Sequence, residues 1–402
     1  MTPFLQLIFV LTIILFASKL AGYLTTRLGQ PAVLGELLVG LLLGPSLIDL
    51  THLVFITDRH LSEVVAEFGE IGVLVLMFLA GLELHFSELT RNTRVAAFSG
   101  ILGVLTPVGL GILAGEMFGY SFDNAAFIGL TLGATSVSIS AQTLMELKVL
   151  RSRVGLGLLG AAVFDDILVI LLLSTFLALS GGGSALDILL VLLKMIGFLS
   201  LSAAFGLWVL PKLSRRISNM PISQGILTFS LIIMMVYGLA AELIGGMAAI
   251  TGTFLAGLMF ARTPEKSQIE PGLRSLAYSF FVPIFFVNIG LSVDTHTLNL
   301  NALWLMLVIS TFAILGKVIG CGLGAKLGGF NWLESLQLGI GMISRGEVGL
   351  IVASIGLAEG YINETVFSAI VGMVLITTLL TPPLLRASFR KVTVSSPAPV
   401  QE

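Results

Sequence analysis

The sequence predicts an all-α polytopic membrane protein of about thirteen transmembrane helices, built as inverted repeats with two broken helices. Three observations lead there. The 402 residues are 56% hydrophobic and only 11% charged, with mean hydropathy +1.04; a soluble domain carries about 25% charged residues and needs them for its polar shell. Apolar runs long enough to cross about 30 Å of hydrocarbon recur along the chain. A few of those runs carry ionisable or small polar residues at their centres, where such groups are costly.

The runs lie at 4–22, 31–49, 64–82, 95–119, 124–145, 153–179, 186–211, 222–243, 247–261, 275–292, 302–325, 335–358 and 364–385. The first lacks a basic leader and a small-residue cleavage site, so it reads as an uncleaved span. The ninth is short and rich in glycine, and a count of twelve would place both termini on one side. Positive charge decides between the counts. With thirteen spans and the N-terminus outside, the cytoplasmic segments hold Arg27, Arg91, Arg94, Lys148, Arg151, Arg153, Lys212, Arg215, Arg216, Arg262, Lys266, Arg274, Lys326, Arg386, Arg390 and Lys391. The outer segments hold only Arg59. That asymmetry is the positive-inside pattern, and one missed span would mix the two sets. The expected organisation is a single integral membrane domain over 1–390 and a disordered cytoplasmic tail over 391–402.

Cys321 is the only cysteine, so no disulfide forms within one chain, and all four histidines fall in polar connectors, which argues against a buried histidine metal site. Nothing suggests nucleic-acid binding. Of the cations within spans, Lys19 is near a cytoplasmic end and can snorkel; Lys194 has no evident role. Glu36, near the inner end of the second span, reads as interfacial. Glu67 and Glu70, early in the third, read either as a solvated helix start or as the lining of an entry funnel.

Asp165 and Asp166 stand side by side at the centre of the sixth span, in AAVFDDILVI (161–170). Lys317 is at the middle of the eleventh, and Arg345 and Glu347 are at the middle of the twelfth. Intramembrane charges normally face the bundle interior and pair with one another. Stability alone gives no reason to place two like charges together in mid-membrane. The fifth span has Gly133, Ala134, Thr135 and Ser136 at its centre, and the twelfth has Gly341, Ser344, Arg345, Gly346 and Glu347. Both patterns mark interrupted spans whose freed backbone lines a cavity. The fifth and twelfth spans run in opposite directions, as do the sixth and eleventh, which points to a transporter site at the midplane.

Two adjacent acids with one lysine titrate as a coupled set near a desolvated site. Ionised carboxylates and hydroxyl oxygens also suit a small hard cation. Proton and cation can therefore compete for one carboxylate, which suffices for exchange if the site opens to one side at a time. Neighbours on a helix point about 100° apart. One acid can meet Lys317 while the other faces a cavity. An intramembrane aspartyl protease needs its two aspartates on separate helices, which adjacency forbids, and a channel would need a continuous pore.

Over almost its entire length the chain resembles bacterial members of the monovalent cation/proton antiporter superfamily, in the branch with NapA and the Kef proteins. The segments that carry the resemblance are QPAVLGELLVGLLLGP (30–45), FLAGLEL (78–84), GATSVSISAQTL (133–144), GAAVFDDILVI (160–170), PIFFVNIGL (283–291), ILGKVIGCGLGA (314–325) and GMISRGEVGLIVA (341–353). The resemblance implies a NhaA/NapA-like fold in which the two broken helices cross. Asp166 then matches the cation-binding carboxylate, Asp165 the acid paired with Lys317, Thr135 and Ser136 the broken-helix residues near the ion, and Arg345 and Glu347 the charged pair of the second broken helix. It further implies a core (95–179 and 302–385) moving like an elevator against a dimerisation scaffold (4–82 and 222–292), with 186–211 as linker, and a homodimer in the cytoplasmic membrane. No cofactor is implied beyond the transported Na⁺ or K⁺ and H⁺. Kef-type proteins carry a soluble regulatory domain and a single Asp here. The short tail and the double Asp therefore favour electrogenic Na⁺/H⁺ exchange over gated K⁺ efflux, with K⁺/H⁺ exchange or a solute symporter of related fold as alternatives.

Overall fold

A computed structural model describes residues 1–83, 92–180, 185–291 and 300–389, and among them every regular element is helical. The tail 391–402, Arg91, Arg390, Lys391, His85 and His296 lie outside the described residues, as does the side chain of Glu347. The chain opens with α1 (Pro3–Arg27), started by Thr2, whose hydroxyl accepts from Leu5 N–H, and by a proline at the first helical position, where no N–H is needed. It stops at Gly29, whose φ of +71° suits glycine. Then come α2 (Ala32–Leu43), α3 (Leu61–Glu83), α4 (Thr93–Met117), α5 (Phe122–Gly133), α6 (Val137–Glu146) and α7 (Arg153–Ser180). A π turn over Phe205–Val209 joins α8 (Ala185–Ala204) to α9 (Leu210–Ser218). The chain continues through α10 (Gly225–Leu243), α11 (Ala249–Phe260) and α12 (Lys266–Leu276), which a second π turn, Ala277–Phe281, links to α13 (Val282–Leu291). The last elements are α14 (Leu300–Leu327), α15 (Trp332–Gly341), α16 (Glu347–Ala358) and α17 (Glu364–Phe389).

Ten helical segments among the described residues are long and apolar enough to cross a membrane. Four expected spans are shorter or divided. For 31–49 the helix is only the 12 residues of α2, and for 247–261 the 12 residues of α11. At 1.5 Å per residue each covers about 18 Å, less than the hydrocarbon thickness. The stretch 335–358 is split between α15 and α16, and 124–145 between α5 and α6, as the small polar centres of both stretches suggest. Glu36, read as interfacial, is buried instead, on a helix enclosed by α1, α13 and α6.

The helices pack in two sets. In one, α4 packs on α14, α5 and α7, α14 on α15 and α17, and α16 on α5 and α17. In the other, α3 packs on α11 and α13, and α2 on α1 and α13. The sets meet where α6 lies against α2 and α3, and α17 against α2. Lipid tails are as apolar as leucine, so close backbone approach at small residues is what knits helices in a bilayer. A Cβ at Gly320 would lie 2.4 Å from the Leu102 carbonyl oxygen, and one at Gly257 would lie 2.0 Å from that of Phe78. Gly257→Ala is therefore expected to destabilise the protein by about 1–3 kcal/mol, the cost of overpacking, read as a lower melting temperature in detergent. An unchanged transition would count against the tight α3–α11 seam.

Candidate cation site at the crossing of two broken helices

The extended segment 134–136 between α5 and α6 crosses the segment 342–346 between α15 and α16. Ser136 N–H donates to the Ser344 carbonyl at 2.9 Å, and the Ser344 hydroxyl donates to the Ser136 carbonyl at 2.6 Å. The Ser140 hydroxyl donates to the Gly341 carbonyl at the end of α15. The interrupted backbone is thus satisfied by its counterpart from the opposite half, as it must be away from water. Glycine at 346 follows from this contact, because an added Cβ would lie 2.7 Å from the Ser136 Cβ.

Arg345 and Lys317 are among the largest fully buried side chains in the protein. The Arg345 guanidinium donates to the carbonyls of Met342 at 3.2 Å, Ile343 at 2.6 Å and Ala313 at 3.1 Å. It sits just past the C-terminus of α15, where a cation offsets the partial negative charge of the helix end. The Thr378 hydroxyl fixes the Arg345 carbonyl at 2.6 Å. Residues i and i+2 do not share a helix face, so Arg345 looks beyond its own turn, and its guanidinium engages these backbone carbonyls. Glu347 opens α16.

Lys317, from α14, forms an ion pair with Asp165 Oδ1 on α7, with side-chain exposures of 0% and 1%. Arg345 is also close enough to Asp165 to act on it electrostatically. Asp165, Asp166, Lys317 and Arg345 together sum to zero formal charge, which makes such a centre tolerable at this depth. Asp165 Oδ2 and the Thr135 hydroxyl are buried without a hydrogen-bond partner among the described residues. Asp166 leaves the same helix in another direction and accepts from Thr251 Oγ1 at 2.7 Å, across the meeting of α7 and α11. Beside it lies a void of about 10 Å³, room for one water-sized body. An ionised carboxylate beside such a void is the kind of oxygen donor a hard monovalent cation takes.

The structure therefore brings together Asp165, Asp166, Lys317, Arg345 and the 134–136 segment. The Ser136 hydroxyl is engaged with that of Ser138 at 2.9 Å, inside the crossing, whereas Thr135 lies beside the Asp165 carboxylate. Sequence reasoning missed Thr251. Its only signal was a threonine in the small-residue run ITGTFLAG (250–257).

A midplane crossing of two broken helices, with buried carboxylates and cations around it, defines an integral membrane transporter fold. The chain matches the family described as "Sodium/hydrogen exchanger, transmembrane" over residues 12–390, and it belongs to that family. It is 39% identical over 384 residues to the Na(+)/H(+)-K(+) antiporter GerN of Bacillus cereus, covering 96% of each chain. It is 35% identical over 414 residues to the high-affinity Na(+)/H(+) antiporter NhaS3 of Synechocystis, covering 94% of this chain and 89% of the relative. Among solved structures, the sodium proton antiporter MjNhaP1 of Methanocaldococcus jannaschii superposes with a TM-score of 0.68 over 97% of this chain and 98% of that one, at 18% identity, a likeness of fold.

Proposed function

We propose that this protein is a secondary active antiporter that exchanges Na⁺ for H⁺ across the cytoplasmic membrane, with cation and proton competing at Asp166. The observation that carries this reading is the division of labour between adjacent acids. Asp165 is committed to Lys317, while Asp166 borders a void of about 10 Å³. A cation entering there displaces the proton, and a proton arriving releases the cation. The charge asymmetry supports thirteen crossings with the N-terminus outside and the C-terminus inside, the short α2 and α11 each counted as one. Movement of 95–179 and 302–385 against 4–82 and 222–292, as an elevator in a homodimer, would open Asp166 to one side at a time. Two carboxylates and a lysine in one site allow more than one proton per cation, hence electrogenic exchange.

K⁺ is the second reading for the transported cation, favoured by the name of the 39%-identical relative, which includes K⁺ beside Na⁺. The test is dequenching of a pH-sensitive dye in proteoliposomes on adding Na⁺, K⁺ or Li⁺ separately, with and without an imposed membrane potential. Sodium is expected to give the largest signal, and a potential is expected to change its rate. Absence of cation-dependent dequenching with all three ions would reject antiport.

A further inference from the structure

Of the nine residues around the void beside Asp166, seven are apolar, Met77, Val137, Leu159 and Phe254 among them. The two polar ones are Asp166 and Thr251. Thr251 is 4% exposed and lies in the first turn of α11, in the helix set opposite to that of α7. Its neighbour Thr253 donates to the Ile250 carbonyl of its own helix, the ordinary way for a threonine to satisfy itself within a span. Thr251 instead donates across the interface to Asp166 Oδ2 at 2.7 Å.

We propose that Thr251 is a substrate-binding residue, whose hydroxyl oxygen ligates the transported monovalent cation together with the Asp166 carboxylate. A hydroxyl has one donor hydrogen and two acceptor lone pairs. With no cation present, the hydrogen points at Asp166 Oδ2. When a cation enters the void, the hydroxyl turns about its C–O bond and presents a lone pair, so one side chain serves both states without moving its heavy atoms. The void holds about one water-sized body, so the ion sheds most of its water there and needs each oxygen that the walls supply. Because α11 belongs to the opposite helix set, this ligand is present only while the two sets stand as they do here. It is lost when they shift.

This inference rests on the antiporter reading, and the test separates the two. Na⁺-dependent dequenching is titrated at fixed pH for the wild type and for Thr251→Val, Thr251→Ser, Thr251→Ala and Asp166→Asn in proteoliposomes. Thr251→Val, which keeps the shape and removes the oxygen, is expected to raise the apparent KM for Na⁺ about tenfold while changing the maximal rate far less, as loss of a ground-state contact to a charged ligand does. Thr251→Ala is expected to do the same, and Thr251→Ser to stay within about twofold of wild type because it retains the hydroxyl. If Ser is as impaired as Ala, packing of the methyl is responsible and the assignment is overturned. It is equally overturned if KM is unchanged in both Val and Ala. Wild-type flux that Asp166→Asn abolishes, beside unchanged Thr251 variants, rejects only the Thr251 ligand; no wild-type flux with Na⁺, K⁺ or Li⁺ rejects the antiporter reading and this inference with it.

Discussion

Asp166→Asn is expected to reduce cation-dependent proton flux in proteoliposomes to background, with the protein still folded. Asparagine nearly preserves the shape of the side chain, and its carbonyl oxygen can still accept the bond that Thr251 makes at 2.7 Å. It carries no charge to hold a cation and no proton to release, so both halves of the exchange fail together. Stability is expected to hold or rise, because the change removes one of two adjacent like charges from a buried centre. The measurement is dye dequenching alongside a thermal melt of the purified protein. Exchange at the wild-type rate would reject Asp166 as the carrier.

The second large effect is expected at Lys317. Truncating one partner of a buried ion pair leaves the other charge without compensation, at a cost of about 3–5 kcal/mol. Lys317→Ala would leave Asp165 in that position, at 1% exposure, with Arg345 as its remaining nearby cation. A clear loss of thermal stability is expected, together with an altered pH profile of exchange. Adding Asp165→Asn to the Lys317→Ala background is expected to recover much of the stability, because the unpaired charge disappears with it. A Lys317→Ala protein with unchanged melting temperature and pH profile would contradict the pairing.

The sequence made some of this legible because the membrane penalises charge so strongly. An acid pair, a lysine and an arginine within apolar runs have few places to go, and Asp165 and Lys317 do meet. The breaks at 134–136 and 342–346 were legible too, since small polar residues interrupt otherwise apolar runs. Other features depend on tertiary contacts that leave no local mark. Thr251 and Thr253 look alike in ITGTFLAG, yet one bonds its own helix and the other reaches Asp166. Arg345 had to seek a partner beyond its own turn, and the partners it finds are carbonyls, which every residue possesses and no sequence pattern advertises. The short length of α11 was visible in a run already short and rich in glycine, and that of α2 is set where Gly44 and Pro45 end the helix inside a longer apolar stretch.

The crossing has a consequence for how the chain is made. The hydrogen bonds that satisfy the break at Ser136 come from Ser344, 208 residues further along. A ribosome delivers the first half into the membrane well before the second half exists. Until then the gap between α5 and α6 has carbonyl and amide groups without their final partners, inside a lipid environment that offers none. The nascent first half must therefore keep that gap hydrated or shielded by an insertion factor. The late arrival of α15 and α16 supplies those partners and closes the crossing, with only α17 still to follow.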